Sequence, residues 1–470
     1  MRLTHYSFSL KNLTGAALAI STLFSGNAWS AEVFQHLSLN QALEIALNNN
    51  LEKQISYQSA LIAESQYQQA LSARWPTINL QAGFQHRDQA PTFTNPAMNI
   101  ALPAPIPQTL GISTITVPEQ TIKLFNQNTS TASLQLLYPL YTGGKISSMI
   151  NQAGIGKEIA QEEMRRTALQ VVRDVKRYYL AAQLTHELDN TAKKIHSELS
   201  NTRDLTKNLY EGGSGSVNKL DFLKTEMAVS YAKSVEIDFA GKHKIAIAAL
   251  ANTMGLSWDS QISVDAPLKA DKAHNAQLDT LVQQANEFNP QLGVLKLAVR
   301  ASEEKINEAR SAYFPQVALT ADTTHYENGY DKGLANGTNK NIWTIGIGVT
   351  MPLFNGFLTE HQVSTAKLQS SQIQSKQKLV EQGVATLVKN LLIEYETAHQ
   401  QIDVSEQAAQ LADDHSDLTS RAFQIGASKR EDMVHASILQ AITQGNLLRA
   451  KHDQQLNLAE LDYVLGSEAQ

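Results

Sequence analysis

The chain contains no cysteine, and this absence excludes a whole group of sites. Without cysteine there is no disulfide, no thiolate metal site, no cysteine nucleophile and no N-terminal cysteine to carry an acyl chain. Beyond the first thirty residues, no stretch reaches the roughly 18 consecutive apolar residues of a membrane-spanning helix. Positive charge is also scarce, because 45 acidic residues outnumber 39 basic ones. A chain with a net charge of −6 is a poor candidate for nucleic-acid binding.

Signatures of enzymes are missing as well. The turn sequence Gly212 to Gly215 lacks the GK[ST] of a phosphate-binding loop and does not follow a predicted strand. The 13 histidines form no HExxH motif, and no serine lies in a G-x-S-x-G elbow. The sequence therefore predicts a protein that is not an enzyme and that has no cofactor and no metal site.

The first thirty residues resemble a secretory signal peptide. Arg2 and Lys11 form a basic start without acidic residues, the segment 15–24 is largely apolar, and residues 28–30 read AWS, an A-x-S cleavage pattern. Cleavage near Ser30 or Ala31 removes two positive charges, so the net charge moves from −6 to −8. The alternative is an amphipathic N-terminal anchor. An exported chain without a spanning helix is periplasmic, released, or inserted in a membrane as a β-barrel.

Nearly the same design occurs twice in the chain. Residues that match at a separation of 239 positions are Asn50 and Asn289, Glu64 and Glu303, Ala73 and Ala312, and Pro76 and Pro315. Residues that match at a separation of 211 positions are Gly215 and Gly426, Asp221 and Asp432, and Gly255 and Gly466. A unit of this size is too large for a solenoid repeat and indicates a duplicated architecture with pseudo-twofold symmetry. We expect one repeat over residues 31–256, a linker over 257–277 and a second repeat over 278–470.

Hydrophobic periodicity predicts the same order of elements in both repeats: helix, two strands, long helix, helix. In the first repeat we expect helices over about 39–73, 145–210 and 217–254, and strands over about 77–85 and 131–138. Residues 88–130 hold half of the prolines, which predicts a long loop without elements. In the second repeat we expect helices over about 278–312, 359–423 and 431–465, and strands over about 316–321 and 343–351. The two proline-free helices would be roughly 100 Å long.

Each predicted strand has one apolar and one polar face. We expect the apolar face to contact lipid through Leu80, Leu134, Leu319 and Ile347, and the polar face to line a lumen through Asn79, Gln135, Thr320 and Gly348. Four such strands cannot close a barrel, and open sheet edges do not occur in lipid. Three chains would supply twelve strands, which is an allowed barrel size. The long helices are rich in Ala, Gln, Ser and Asn, which suits close packing in a larger bundle.

The signal peptide, the duplication, the alternating strands and the long helices occur together with a repeated P-L-[YF]-x-G motif. This motif lies in LYPLYTGG at 137–144 and in TMPLFNGF at 350–357. The combination covers the whole mature chain and resembles the TolC-like outer membrane efflux proteins. The resemblance implies a mainly α fold with a transmembrane β-barrel portion: a homotrimer in which a 12-stranded barrel continues into a long periplasmic α-helical barrel.

The function that the resemblance implies is a passive exit duct for tripartite efflux or type I secretion. The implied partners are a periplasmic adaptor protein, an inner-membrane pump or ABC transporter, and the lipid of the outer membrane. The alternative is a periplasmic coiled-coil adaptor or scaffold without a pore, which would leave the alternating strands unexplained.

Two groups of candidate site residues follow from this layout. Aromatic residues near the strand ends would form belts at the membrane interfaces: Trp75, Tyr138, Tyr141, Phe314 and Phe354 at the helix-proximal ends, and Trp343 near the opposite rim. The resemblance places a periplasmic entrance at the two helix–helix turns, with Gly215, Asp221, Phe423, Gly426, Asp432 and His435 as its candidate residues.

Within the entrance, the resemblance assigns Asp432 as a pore-lining carboxylate and Asp221 as its partner on the neighbouring tip. His435 stands where the family's type member has a second acid. Phe423 and Ser428 stand where that protein has a Tyr and an Arg that link neighbouring tips. The alternatives are that the two aspartates are ordinary acids at helix N-termini, favoured by the helix dipole, and that His435 faces a neighbouring helix.

Overall fold

The computed structural model describes residues 33–34, 36–104, 111–124, 126–213, 217–270, 277–327, 340–425 and 427–467. The predicted signal peptide and the two tip glycines, Gly215 and Gly426, lie outside the described residues. Among the described residues, no helix has the length and apolarity needed to cross a membrane.

The elements of the first half confirm the predicted order and add short strands to it. They are β1 (Val33–Phe34), α1 (Leu39–Asn49), α2 (Leu51–Ser72), β2 (Thr77–His86), β3 (Thr92–Asn95), β4 (Met98–Ala101), β5 (Thr114–Val117), β6 (Gln120–Lys123), β7 (Asn128–Tyr141), α3 (Lys145–Glu211) and α4 (Lys219–Thr253). The second half contains β8 (Gln261–Ile262), α5 (Leu278–Phe288), α6 (Pro290–Arg310), β9 (Gln316–Glu327), β10 (Asn341–Thr350), α7 (Leu358–Gln424) and α8 (Arg430–Val464).

The prediction of one continuous helix at the start of each repeat was wrong. Asn50 separates α1 from α2 and Asn289 separates α5 from α6, and both residues adopt extended backbone angles near φ −60° and ψ 125°. Each asparagine caps the helix that follows, because its side-chain oxygen accepts the backbone N–H of Lys53 (3.0 Å) or Leu292 (3.2 Å). The apolar spacing continues across both breaks, so periodicity alone does not reveal them.

The prediction of an elementless loop over residues 88–130 was also wrong. The described residues of this segment form a two-stranded ribbon in which β3 pairs with β6 and β4 pairs with β5, both antiparallel. Its described prolines lie at the ends of these short strands rather than inside them, as Pro91, Pro96 and Pro118 show. Proline is tolerated there because no ladder hydrogen bond is lost. The prolines therefore mark where one short strand ends and the next begins, and do not indicate that strands are absent.

One antiparallel sheet has the strand order β10-β9-β7-β2. Its register pairs Leu80 with Leu134 and Leu319 with Ile347, so the residues expected on the apolar face lie directly opposite one another. A polar row crosses all four strands through the pairs Asn79–Gln135, Gln135–Asp322 and Asp322–Thr344. Because directly paired residues share one face of a sheet, the sheet has an apolar and a polar side.

The helices form a layer in which the two 67-residue helices, α3 and α7, run the full length. On the side of the strands the neighbours are α2, α3, α6 and α7, and at the other end they are α4, α3, α8 and α7. Two equivalent cores lie near the middle of the layer. One joins α1, α3 and α4 around Val175 and Leu250, and the other joins α5, α7 and α8 around Val388 and Leu461.

Candidate functional site

The two helix–helix turns lie side by side at the end of the layer remote from the strands, because α3 packs against α8 there. The first turn joins α3 to α4 between Glu211 and Lys219, and the second joins α7 to α8 between Gln424 and Arg430. The tips therefore bring together residues that are more than 200 positions apart in sequence.

Asp221 and Asp432 make the same contact in the two tips. The Asp221 carboxylate accepts the backbone N–H of Asn218 at 3.1 Å, and the Asp432 carboxylate accepts that of Lys429 at 3.0 Å. The Ser428 hydroxyl also donates to Asp432 at 3.3 Å. Each carboxylate thereby accepts a hydrogen bond from a backbone N–H at the start of a helix, where N–H groups have no partner within the helix. Helix capping alone accounts for the recurrence of an aspartate at this position.

A cavity of about 870 Å³ separates the two tips. Asp221, Phe423 and His435 line it, so three of the predicted entrance residues lie around one space. Its walls combine apolar side chains such as Leu205 with charged ones. Asp432 is not among its lining residues; its carboxylate is turned towards the start of α8.

An ion pair across this cavity joins the two tips, and the sequence reasoning missed it. Lys224 of α4 donates to the carboxylate of Glu431 in α8. The hydrogen bond to Glu431 raises the pKa of the Lys224 ammonium above its usual value. The internal repeat could not reveal the pair, because the position 211 residues after Lys224 is His435 rather than Glu431. The contact therefore joins non-equivalent positions of the two repeats.

A second feature that the sequence reasoning missed is a group of acids above the tips. Burial, together with the nearby Asp417 and Asp413 carboxylates, raises the pKa of Glu198 in α3. Asp413 accepts hydrogen bonds from the side-chain amides of Gln440 (2.7 Å) and Gln444 (3.0 Å) of α8. These acids come from α3 and α7, two helices that are distant in sequence, so no local motif marks them. They place excess negative charge near the predicted entrance.

The aromatic residues predicted to flank the strands lie at the ends where they were expected. Trp75 precedes β2, Phe314 precedes β9, Phe354 follows β10, and Tyr138 and Tyr141 lie at the end of β7. Trp75 is 71% exposed and Phe354 76% exposed, so both side chains are open to a medium outside the chain. Trp343 lies near the opposite end of the sheet and is equally open, at 75%.

The described residues contain no group of three or more His, Asp or Glu side chains that could hold a metal ion. The described residues of the tips supply two capping carboxylates and one ion pair, with a cluster of acids nearby. The ion pair can hold the two helical hairpins together.

The chain is similar in sequence to proteins of known activity. It matches the outer membrane efflux protein family over residues 42–256 and 281–467. It is 24% identical over 370 residues to the solvent efflux pump outer membrane protein SrpC of Pseudomonas putida, covering 77% of this chain and 68% of that protein. It is 28% identical over 188 residues to the outer membrane protein TolC of Escherichia coli, covering 39% of this chain and 37% of TolC.

Solved structures with the same fold include outer membrane channels. The Campylobacter jejuni CmeC outer membrane channel superposes with a TM-score of 0.74 at 15% identity, covering 94% of this chain and 92% of that one. The Vibrio cholerae outer membrane protein VceC superposes with a TM-score of 0.71 at 16% identity, covering 91% and 96%.

Proposed function

Because the chain belongs to the outer membrane efflux protein family, we propose that it forms a trimeric exit duct that is coupled to an inner-membrane pump through a periplasmic adaptor. Membership of this family confirms the resemblance, the outer-membrane location and the prediction that the protein is not an enzyme. It is an outer membrane efflux protein. The trimer, the adaptor and the details of the entrance belong to the proposal.

The observation that carries the proposal is the two-faced, open sheet. Strands β10 and β2 are the edges of the four-stranded sheet, and neither has a partner on its outer side among the described residues. Open edges and lipid are incompatible, because unpaired backbone groups have no water to bind in a bilayer. Three copies close twelve strands into a barrel without edges. The described strands of this sheet contain two residues of the types Asp, Glu, Lys and Arg: Glu327 at the end of β9, and Asp322. Asp322 lies in the polar row that would face the lumen.

The edges of the helix layer support the same assembly. Helix α2 has no buried residue, and its exposed apolar side chains include Leu51, Ile55, Leu61 and Ile62. At the opposite edge, α7 exposes Leu368, Leu379, Leu411 and Leu418. Burying such surfaces is favourable by roughly 25 cal/mol per Å². A neighbouring copy that brings the strand-side half of its α7 against α2, and the tip-side half against α4, would cover these side chains.

For the entrance, we propose that Asp432 and His435 surround the axis of the trimer and that Asp221 and Phe423 lie where neighbouring hairpins meet. The tip glycines Gly215 and Gly426 would form the turns. The acids around Glu198 add negative charge close to this point, so the entrance should favour cations. The exposed aromatic residues at the helix-proximal strand ends would mark the periplasmic surface of the membrane.

The proposed repeats, 31–256 and 278–470, would each supply two strands and one tip to the duct, with 257–277 as the segment between them. The predicted signal peptide would direct the chain across the inner membrane. Energy would come from the pump. The relative SrpC is a solvent efflux pump outer membrane protein, but this chain offers no feature that selects one cargo.

Native mass measurement in mild detergent tests the proposal directly. We expect three chains per particle and heat-sensitive trimers in the outer-membrane fraction. Reconstituted protein should conduct ions across a planar bilayer. A stable monomer that keeps its β signal in detergent would refute the trimeric duct, and co-purification with a soluble scaffold alone would favour the coiled-coil alternative.

A further inference from the structure

The outer half of the β3–β6 and β4–β5 ribbon has an apolar side that no other described residue of the chain covers. In the β4–β5 ladder, Met98 pairs with Val117 and Ile100 pairs with Ile115. Met98, Ile100 and Ile115 are each about half exposed, at 54%, 48% and 51%. The alternate positions are polar: the Thr116 hydroxyl donates to the side-chain oxygen of Asn99 at 2.7 Å. The ladder is therefore amphipathic, with four apolar side chains on one side.

Membrane lipid does not cover this side if the sheet spans the bilayer. Strand β2 has 10 residues, which is the length that a tilted strand needs to cross the hydrocarbon region. It ends at His86 and is followed by the charged residues Arg87 and Asp88. The ribbon begins beyond them, on the side of the sheet remote from the helices. Its apolar side would thus lie in water.

Among the described residues, no other element packs closely against the ribbon. A two-stranded ribbon is marginally stable in water and needs a third strand or an apolar contact. The stretches 98–104 and 111–117 contain no charged residue. Copies of the ladder can therefore approach one another without repulsion between like charges, whereas edge strands that avoid association usually carry charges.

We propose that the β4–β5 ladders of three copies pack against one another on the axis of the duct and form an apolar seal across its outer end. The proposal rests on the trimeric duct proposed above. Twelve strands about 4.8 Å apart and tilted by about 40° give a barrel radius of roughly 12 Å. Residues 88–101 span roughly 45 Å when extended, at about 3.3 Å per residue, so the ladder can reach the axis.

The breaks in the ribbon, at Pro91 and between β3 and β4, are places where it can turn inward. While it is closed, an apolar constriction of this kind blocks water and ions because the narrow space does not remain wetted. Without a covalent link the ladders separate and meet again, so an unlinked channel still conducts. The seal would lie at the opposite end of the duct from the helix tips. It would be opened by outgoing cargo and would keep external solutes out between transport events.

Disulfide trapping tests the packing, and the absence of natural cysteine makes every introduced thiol unique. The test variant is Ile100→Cys and the matched control is Asn99→Cys, the next residue on the opposite side of the same strand. In isolated outer membranes treated with a mild oxidant, Ile100→Cys should give covalent dimers on denaturing gels. Asn99→Cys should give few. Equal trapping at both positions, or none at position 100, would overturn the proposal.

Two further measurements distinguish failure of the proposed seal from failure of the proposed trimer. Native mass of both variants reports the trimer independently, so a lost trimer signals failure of the proposed duct and not of the seal alone. Single-channel recordings of oxidised Ile100→Cys should show lower conductance than the same channel after reduction. If trapping occurs and conductance does not change on reduction, the ladders meet without sealing the duct and the proposal is wrong.

Discussion

The side-chain amide of Asn289 donates a hydrogen bond of 2.8 Å to the backbone oxygen of Val464, at the end of the last helix. The first repeat contains the same contact, in which Asn50 donates to Thr253 at 2.8 Å. Two residues after the end of the helix that receives the bond lies a glycine at positive φ, Gly466 or Gly255. In each repeat, the side-chain oxygen of one asparagine caps the start of a helix, and its side-chain nitrogen donates to a backbone oxygen at the end of another helix.

Gly466→Ala should destabilise the protein. The glycine has φ +66°, and an added Cβ would overlap the carbonyl oxygen of Phe288. The left-handed conformation alone costs an alanine about 1–2 kcal/mol, and the overlap adds to this cost. We expect a lower denaturation midpoint for the detergent-solubilised protein. The control is Gly383→Ala in α7, where an added Cβ meets nothing within 4 Å. It should leave stability unchanged or raise it by up to about 1 kcal/mol, and a similar loss in both variants would contradict the role given to Gly466.

Leu134→Arg and Gln135→Arg test the orientation of the sheet. The two residues are neighbours in β7 and lie in an apolar and a polar row respectively. If the apolar row faces lipid, Leu134→Arg should cost roughly 2–4 kcal/mol at mid-membrane. Gln135→Arg should be tolerated because its side chain would reach the lumen. Assembly is measured by the fraction of heat-modifiable trimer in the outer membrane. Equal losses for both variants would show that the assigned faces are incorrect.

The Lys224–Glu431 ion pair should hold the two tips of a protomer together. Lys224→Glu places two carboxylates opposite each other, so the tips should separate and single-channel conductance should rise. Glu431→Lys should act similarly, by opposing two ammonium groups. The double variant Lys224→Glu with Glu431→Lys restores an attractive pair and should return conductance towards the original value. If the double variant conducts like the single variants, the pair does not control the distance between the tips.

Glu198→Gln should raise thermal stability at neutral pH. Burial and the acids at positions 413 and 417 raise the pKa of Glu198, so the folded protein binds a proton there more readily than the unfolded chain does. Lowering the pH through this raised pKa therefore favours the folded state. The glutamine variant lacks this ionisation. Its advantage in melting temperature should be largest near pH 7 and should disappear as the carboxyl becomes protonated in acid. A constant difference across this range would show that ionisation is not the cause.

Asp432→Ala and His435→Ala test the entrance ring. Three carboxylates around one axis attract cations, so Asp432→Ala should reduce cation selectivity and block by multivalent cations. If His435 lines the same ring, removing its imidazole widens the pore at this point, so His435→Ala should raise single-channel conductance. Because Asp432 also caps α8, melting curves of Asp432→Asn and Asp432→Ala are needed to separate lost capping from lost charge.

The sequence alone determined the duplication, the order of the main elements and the alternation of the four long strands. Local periodicity predicts these properties, together with residues that recur at fixed separations, such as Asp221 and Asp432. Family resemblance followed from the same features. The helix breaks at Asn50 and Asn289 were not predicted, because an asparagine also occurs inside continuous helices. What distinguishes these two is a side-chain hydrogen bond to a backbone oxygen 175 or more residues away, which the sequence does not show.

Tertiary structure alone decided which distant groups meet. The Lys224–Glu431 pair and the Glu198 cluster join helices that are far apart in the chain, and their positions depend on how α8 packs against α3, α4 and α7. The ribbon at residues 92–123 was hidden by its prolines, since a ladder between them depends on cross-strand pairing that no local window contains. Periodicity fixes which side of an element is apolar, but the charge and the shape of a site depend on contacts between elements.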